Sequence, residues 1–323
     1  MKVLSLMPFD EAYREKLREL AKERCQLVFG TPNDSPAVYQ ENLRTADIIL
    51  GDVPAEDLRF CEHLQWMQTT WAGVDQFVRC GYLKQGQLCN MTGGYGPGIA
   101  EYLMGAILTL MSRFPEYRRF QNDRFWHPAL YSKSLEGSTV LILGAGDIGT
   151  ELARRLRPNN CRIVGVRRTP RACPPEYDEV ITLKALDTYL PQADVVVCVL
   201  PSTPETIGLL DRKTMEKMKK DAVLVNVGRG TLIVTEDLCD LLEEGHFFGV
   251  CLDVTSPEPL PADHRLWSYD RVMITPHVAG NAFAPGGPSE RRIWDRMIDN
   301  FRRYLNGEPC ESVVDFETGY RKL

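Results

Sequence analysis

The 323-residue chain contains no uninterrupted apolar run of the ~18 residues that a membrane-spanning helix needs. Residues 1–10 lead into a charged helical pattern without the apolar core of a secretory signal, which predicts a cytosolic protein. Basic excess is missing too: 38 Lys and Arg stand against 44 Asp and Glu, a net charge of −6. Nucleic-acid and anionic-membrane partners both favour a positive balance, so small-molecule chemistry is the better expectation. The 10 cysteines form no C-x-x-C pair, and Cys198 and Cys251 lie inside apolar strand patterns. They read as reduced core thiols rather than a disulfide framework or a zinc site, and no metal is expected. There is no internal sequence repeat and no low-complexity segment.

What the chain has is 44% hydrophobic and 25% charged residues, enough material for two cores. Residues 1–90 alternate strand and helix patterns: Val3–Leu6, a helix over Glu11–Lys22, Gln26–Phe29, Ala46–Leu50 and Leu64–Thr70. That rhythm predicts a small α/β domain with a parallel sheet. Met91–Gly98 carries four glycines and a proline, which marks a hinge or a ligand-facing loop. Ala100–Ser112 is apolar nearly all round and predicts a buried helix between layers. Residues 117–138 are polar and aromatic without a clean face, a pattern that fits a subunit contact better than a substrate box. From Ser138 a second alternation predicts strands at 139–143, 162–166, 194–200, 222–226, 249–253 and 272–275, with helices at 147–157 and 235–244. Six parallel strands fit a doubly wound sheet. After His277 the chain leaves through Gly280–Pro288 into a helix over Ser289–Leu305 that carries it back to the first domain. The expected division is therefore 1–98 with 286–323 as a substrate-binding domain and 99–285 as a dinucleotide-binding domain.

The most informative stretch is Val140-Leu141-Ile142-Leu143-Gly144-Ala145-Gly146-Asp147-Ile148-Gly149, an apolar strand pattern that breaks into G-x-G-x-x-G and continues as a helix. In that context Gly144 allows a tight turn, Gly146 lets a pyrophosphate approach the backbone, and Gly149 lets helix and strand pack closely. Asp147 and Ile148 open the helix, whose first N–H groups and positive dipole end suit phosphates. The second strand then ends at Arg167-Arg168-Thr169, where an NAD site keeps an acid for the ribose 2′-hydroxyl. No acid stands there, and the next is Glu176. Two cations and a hydroxyl suit a 2′-phosphate, so NADP is favoured, with NAD still open. Arg229, Asp253, Glu258 and His277 all fall at or just past the carboxyl ends of predicted strands in this sheet. A guanidinium, an imidazole and two acids converging there suit chemistry at a reactive cofactor ring. Trp71-Ala72-Gly73-Val74, at the end of a strand in the first domain, is placed where open α/β sheets bind ligands.

Together these segments resemble the D-isomer-specific 2-hydroxyacid dehydrogenase family over nearly the whole chain. The likeness runs from Thr70–Asp75 through Ala100-Glu101 and the glycine fingerprint to Leu200–Thr206, Asn226–Gly230, Leu252–Val254, Glu258–Leu260 and Thr275–His277. It implies a flavodoxin-like substrate domain beside a Rossmann cofactor domain. It implies that Arg229 holds the substrate carboxylate and carbonyl, that His277 is the acid/base, and that Glu258 pairs with it. It further implies that Asp253 lies near the nicotinamide carboxamide, that Leu200, Pro201, Thr206, Val227 and Gly280 line the cofactor cleft, and that amides around Ala72–Val74 bind the substrate carboxylate. Residues 117–138 fall where the family builds a dimer contact, so a homodimer is expected. Trp71 departs from the smaller residues usual at its position, which argues against the smallest substrates. The expectation is reduction of a 2-keto acid to the D-2-hydroxy acid by NADPH. Formate or phosphite oxidation on the same fold, and a cofactor-sensing protein of the corepressor type without turnover, are the competing readings.

Overall fold

The computed structural model describes residues 1–7, 10–31, 33–83, 86–280, 286–287 and 289–320. The chain forms two compact units, one of Met1–Tyr95 with Ala282–Leu323 and one of Gly96–Asn281. The expected exit through Gly280–Pro288 lies largely outside the described residues.

In the first unit, β1 (Lys2–Ser5), α1 (Glu11–Ala21), β2 (Gln26–Phe29), α2 (Pro36–Thr45), β3 (Ile48–Leu50), β4 (Trp66–Gln68), α3 (Asp75–Cys80) and β5 (Gln87–Cys89) follow in order. The parallel sheet runs β2-β1-β3-β4-β5, the flavodoxin-like order. The helices start where the sequence supplies caps: Asp10 accepts from the Tyr13 amide at 3.2 Å, and Ser35 caps α2 with Pro36 in its first turn. Leu4, Ile49, Met67 and Phe77 are buried together beneath them.

The second unit begins with α4 (Gly96–Met111) and α5 (Phe114–Asn122), then β6 (Thr139–Leu143), α6 (Asp147–Leu156), β7 (Arg162–Arg167) and β8 (Glu179–Thr182). It continues with α7 (Leu186–Tyr189), β9 (Val195–Cys198), α8 (Arg212–Met215), β10 (Ala222–Asn226), α9 (Thr235–Glu243), β11 (Phe247–Leu252) and β12 (Val272–Ile274). α10 (Glu290–Leu305) belongs to the first unit, where its Trp294 stacks on Tyr13 at 4.8 Å. The second sheet runs β12-β11-β10-β9-β6-β7-β8, all parallel, which is the Rossmann order with one further strand. Its strands read as continuous apolar runs because both faces are covered: β9, β10 and β11 are buried throughout.

Three expectations are corrected. The second sheet has seven strands rather than six, because Glu179–Thr182 adds an edge strand beside β7. The first sheet gains β5 in the same way, and the antiparallel bridge from Cys89 to Val313 covers that edge. The helix over Ala100–Ser112 is not buried on every side: Glu101, Gly105 and Leu108 form an exposed stripe at helical spacing, while Leu103, Ile107 and Leu110 are buried and Leu110 packs on Gly249 of β11.

Candidate active site

The order of the second sheet reverses between β6 and β9, and ligands of open α/β sheets bind at such a reversal, beyond the carboxyl ends of the strands. The loops leaving β6 and β9 flank it. Gly144 adopts φ +121°, and a Cβ there would meet the Val199 backbone at 3.0 Å. A Cβ on Gly149 would collide with the Gly144 carbonyl oxygen, so these two glycines serve the turn and the packing of α6. Gly146 differs, since a Cβ there would meet nothing within 4 Å among the described residues. Its openness, at the N-cap of α6 where no side chain caps the helix, is what a pyrophosphate cradle requires. Asp147 and Ile148 stand in the first turn of α6.

Arg167 closes β7 and turns back onto this loop: its Nε donates to the Ala145 carbonyl at 2.8 Å. Arg168 is half-buried and Thr169 exposed immediately after it. Glu176 does not substitute for the missing acid, because it pairs with Arg154 at 3.0 Å. On the β9 side Leu200 is buried, and the Thr206 hydroxyl is used within its own loop. That hydroxyl donates to the Pro201 carbonyl at 2.6 Å and accepts from the Thr203 amide at 2.8 Å.

Adjacent strands β10, β11 and β12 bring the polar candidates out at one end of the sheet. Asn226 is in register with Leu252, and Leu252 with Ile274, so Val227, Asp253 and Thr275 leave the sheet side by side. Arg229 follows in extended backbone, its Nη1 donating to the Gly228 carbonyl at 2.7 Å. The buried Asn226 ties this turn from both sides, donating to the Arg229 carbonyl at 3.0 Å and accepting from the Gly228 amide at 3.0 Å. Gly228 is obligatory here, since a Cβ would stand 2.6 Å from the Leu200 carbonyl oxygen. His277 Nδ1 lies 2.7 Å from Glu258 Oε1, with both side chains near half exposed. A carboxylate only accepts, so Nδ1 carries the hydrogen and Nε2 is left for chemistry. Glu258 sits on the β11–β12 connection, anchored where Thr235 donates to the Ser256 carbonyl at 2.8 Å.

Asp253 is 2% exposed, and its carboxylate is engaged by the loop that carries His277. It accepts from Thr275 Oγ1 at 2.6 Å, the Val278 amide at 2.8 Å and the Ala279 amide at 2.9 Å. Gly280 follows in the same turn. Sequence reasoning overlooked Thr275 and Asn226 as side chains, although both lay inside quoted motifs. It also overlooked Tyr102 and Asp52.

In the first unit, the loop after β4 holds Trp71, Ala72, Gly73 and Val74. Asp52 accepts from the Thr70 amide at 2.9 Å and from the hydroxyls of Thr69 and Thr70. Burial pushes the Asp52 carboxyl up despite those donors. Asn90 donates to the Ala72 carbonyl at 2.8 Å, Tyr95 donates to the Thr70 carbonyl at 2.8 Å and Thr69 Oγ1 accepts from the Trp71 amide at 3.1 Å, so side chains fix the loop backbone at several points. The Trp71 ring is 39% exposed and stacks on Phe77 at 5.8 Å.

Residues 104–279 match the D-isomer specific 2-hydroxyacid dehydrogenase, NAD binding domain. The chain belongs to the D-isomer specific 2-hydroxyacid dehydrogenase family. It is 30% identical over 311 residues to a glyoxylate reductase of Thermofilum pendens, covering 92% of this chain and 91% of that protein. A solved family member from Aeromonas salmonicida is 33% identical with a TM-score of 0.84, over 98% of this chain and 99% of that one. Another, from Xanthobacter autotrophicus and solved with NADPH and MES, is 25% identical with a TM-score of 0.82, over 99% of each chain. The two parallel sheets are those of this two-domain dehydrogenase fold, and the second unit is an NAD(P)-binding domain.

Proposed function

We propose that this dehydrogenase reduces a 2-keto acid to the D-2-hydroxy acid and prefers NADPH to NADH. The observation that carries the reading is the His277–Glu258 pair, set on the β11–β12 connection and the loop after β12, at the same end of the sheet as the β10 tip that delivers Arg229. When bound, the reduced nicotinamide supplies a hydride to the keto carbon. The developing alkoxide then needs a proton and a positive neighbour. His277 gives the proton from Nε2. Glu258 accepts from Nδ1–H, fixes the ring and stabilises the imidazolium. Arg229 holds the substrate carboxylate and the carbonyl oxygen through its planar fork. The amides around Ala72–Val74 bind the carboxylate, and the ring of Trp71 beside them favours keto acids larger than glyoxylate. Gly144, Gly146 and the first turn of α6 hold the pyrophosphate, Leu200, Pro201, Val227 and Gly280 line the cofactor, and Thr206 keeps the Leu200–Pro201 turn in shape. Arg167, Arg168 and Thr169 receive the 2′-phosphate. Asp253 serves chiefly to hold the His277 loop.

The protein acts as a homodimer through the α4 stripe and the aromatic segment after it. Phe114, Phe125, Trp126 and Tyr131 there are exposed, Trp126 by 97%. The test is steady-state kinetics with NADPH and NADH on glyoxylate, hydroxypyruvate and bulkier 2-keto acids, with product handedness read by chiral chromatography. NADPH-preferring turnover to a D-product is the expected result. Tight cofactor binding with no turnover on any keto acid would mark a cofactor-sensing protein instead.

A further inference from the structure

His277 stands in left-handed backbone, φ 56°, a conformation that residues with a Cβ avoid unless their surroundings impose it. The surroundings here converge on Asp253. Its carbonyl accepts from the His277 amide at 2.8 Å, and its carboxylate takes Thr275, Val278 and Ala279. His277 is thus bracketed before and after by bonds to one buried side chain.

A carboxylate does not donate, so the single hydroxyl proton of Thr275 goes to Asp253. Thr275 Oγ1 therefore accepts from the Tyr102 hydroxyl, 2.5 Å away. Tyr102 lies on α4, which packs against β10 and β11, and its oxygen also stands 3.4 Å from Cys251 Sγ. Burial pushes the Tyr102 hydroxyl up and the Cys251 thiol up to about 11, so both keep their protons at neutral pH.

We infer that Tyr102 and Thr275 are positioning residues: a one-way chain of hydrogen bonds, Tyr102 to Thr275 to Asp253, holds the left-handed turn that aims the His277 imidazole. The inference rests on the proposed role of His277 as the acid. In the full-length enzyme with NADPH and hydroxypyruvate, Thr275→Val removes the middle link of this series, the hydroxyl that accepts from Tyr102 and donates to Asp253. Its kcat falls by about tenfold or more, a fraction of what a general acid is worth, while KM and cofactor affinity change little. Proton delivery becomes the slow step, so the solvent deuterium isotope effect on kcat rises. Thr275→Ser, which keeps the hydroxyl, restores both values. Tyr102→Phe, which leaves Thr275 and Asp253 joined, gives the same pattern at smaller amplitude and replaces Thr275→Val should that variant fail to fold.

A second readout does not require turnover. In nitrogen-15 spectra of the imidazole, the Nδ1–H signal of His277, whose position reports the bond to Glu258, shifts in Thr275→Val and not in Thr275→Ser. Unchanged kcat, isotope effect and Nδ1–H signal in Thr275→Val would overturn the inference, as would an equal loss in Thr275→Ser. If the wild-type chain reduces no 2-keto acid but the Nδ1–H signal responds as stated, the positioning chain stands and the reductase reading falls.

Discussion

Arg167 Nε donates to the Ala145 carbonyl at 2.8 Å, so the cation at the tip of β7 is fastened to the glycine turn that follows β6. That bond uses Nε, and on the proposed reading the rest of the guanidinium meets the 2′-phosphate of NADPH. Replacing Arg167 and Arg168 together by Ser should raise the NADPH dissociation constant by about 10- to 100-fold, the range for hydrogen bonds to charged groups, and leave NADH within a few-fold. Fluorescence titration with both cofactors checks it. Equal weakening of both would show that these arginines support the turn and do not discriminate a 2′-phosphate.

Gly146 and Gly149 of the fingerprint should separate by what surrounds them. Gly146→Ala places a methyl where no atom of the described residues comes within 4 Å, so its melting temperature should stay near wild type while cofactor affinity falls by about tenfold or more. Gly149→Ala drives a methyl into the Gly144 carbonyl and should lose stability, by roughly 1–3 kcal/mol for an overpacked site. Thermal melts beside cofactor titrations distinguish the two. A Gly146→Ala protein that binds NADPH normally would remove that turn from the cofactor site.

Glu258→Gln keeps the shape of the partner to His277 but removes its charge. The amide can still accept from Nδ1–H, but it no longer stabilises an imidazolium. The kcat should fall by about 10- to 100-fold, part of the worth of a general acid, with little change in KM for the cofactor. A Glu258→Gln enzyme with wild-type kcat would leave the pair without a catalytic purpose.

Asp52 gives a pH signature to the loop of Trp71. Burial holds its folded-state carboxyl above the unfolded value, with the Thr69 and Thr70 donors pulling the other way. A raised carboxyl contributes stability that is complete below the unfolded value, about pH 3.9, and is lost as pH rises through the folded one. Asp52→Asn abolishes that loss while keeping an oxygen for the Thr70 amide. Relative to wild type, the variant should therefore gain stability progressively from pH 4 towards neutrality in denaturant unfolding, at about pH 3.5–7.5. A stability difference that is flat across that range would show that Asp52 does not titrate on unfolding.

The sheets and the glycine turn after β6 are legible because their signals are local. Val140–Leu143 is a run of apolar residues ended by glycine, and the glycine spacing states the turn directly. Gln87–Cys89 and Glu179–Thr182 escaped notice because they are short edge strands with a mixed pattern, formed only when a neighbour supplies the pairing. His277, Glu258 and Arg229 could be named one by one from strand tips. The 2.7 Å contact between the first two depends on how the β11–β12 connection folds back, which no period in the sequence encodes. Tyr102 and Thr275 are 173 positions apart, and a tyrosine in an apolar helix reads as core until its hydroxyl is seen to have a partner. The exposed stripe on α4 was missed for a related reason, since Gly105 and Leu108 look apolar whichever way they face.

The most direct test of the account is the turnover of His277→Ala at saturating NADPH and keto acid, with cofactor affinity measured on the same preparation. The account predicts that kcat falls by ~10²–10⁴-fold while NADPH binds as to wild type. Retention of more than about a tenth of wild-type turnover would contradict it, since no group worth that little is the acid of the reaction.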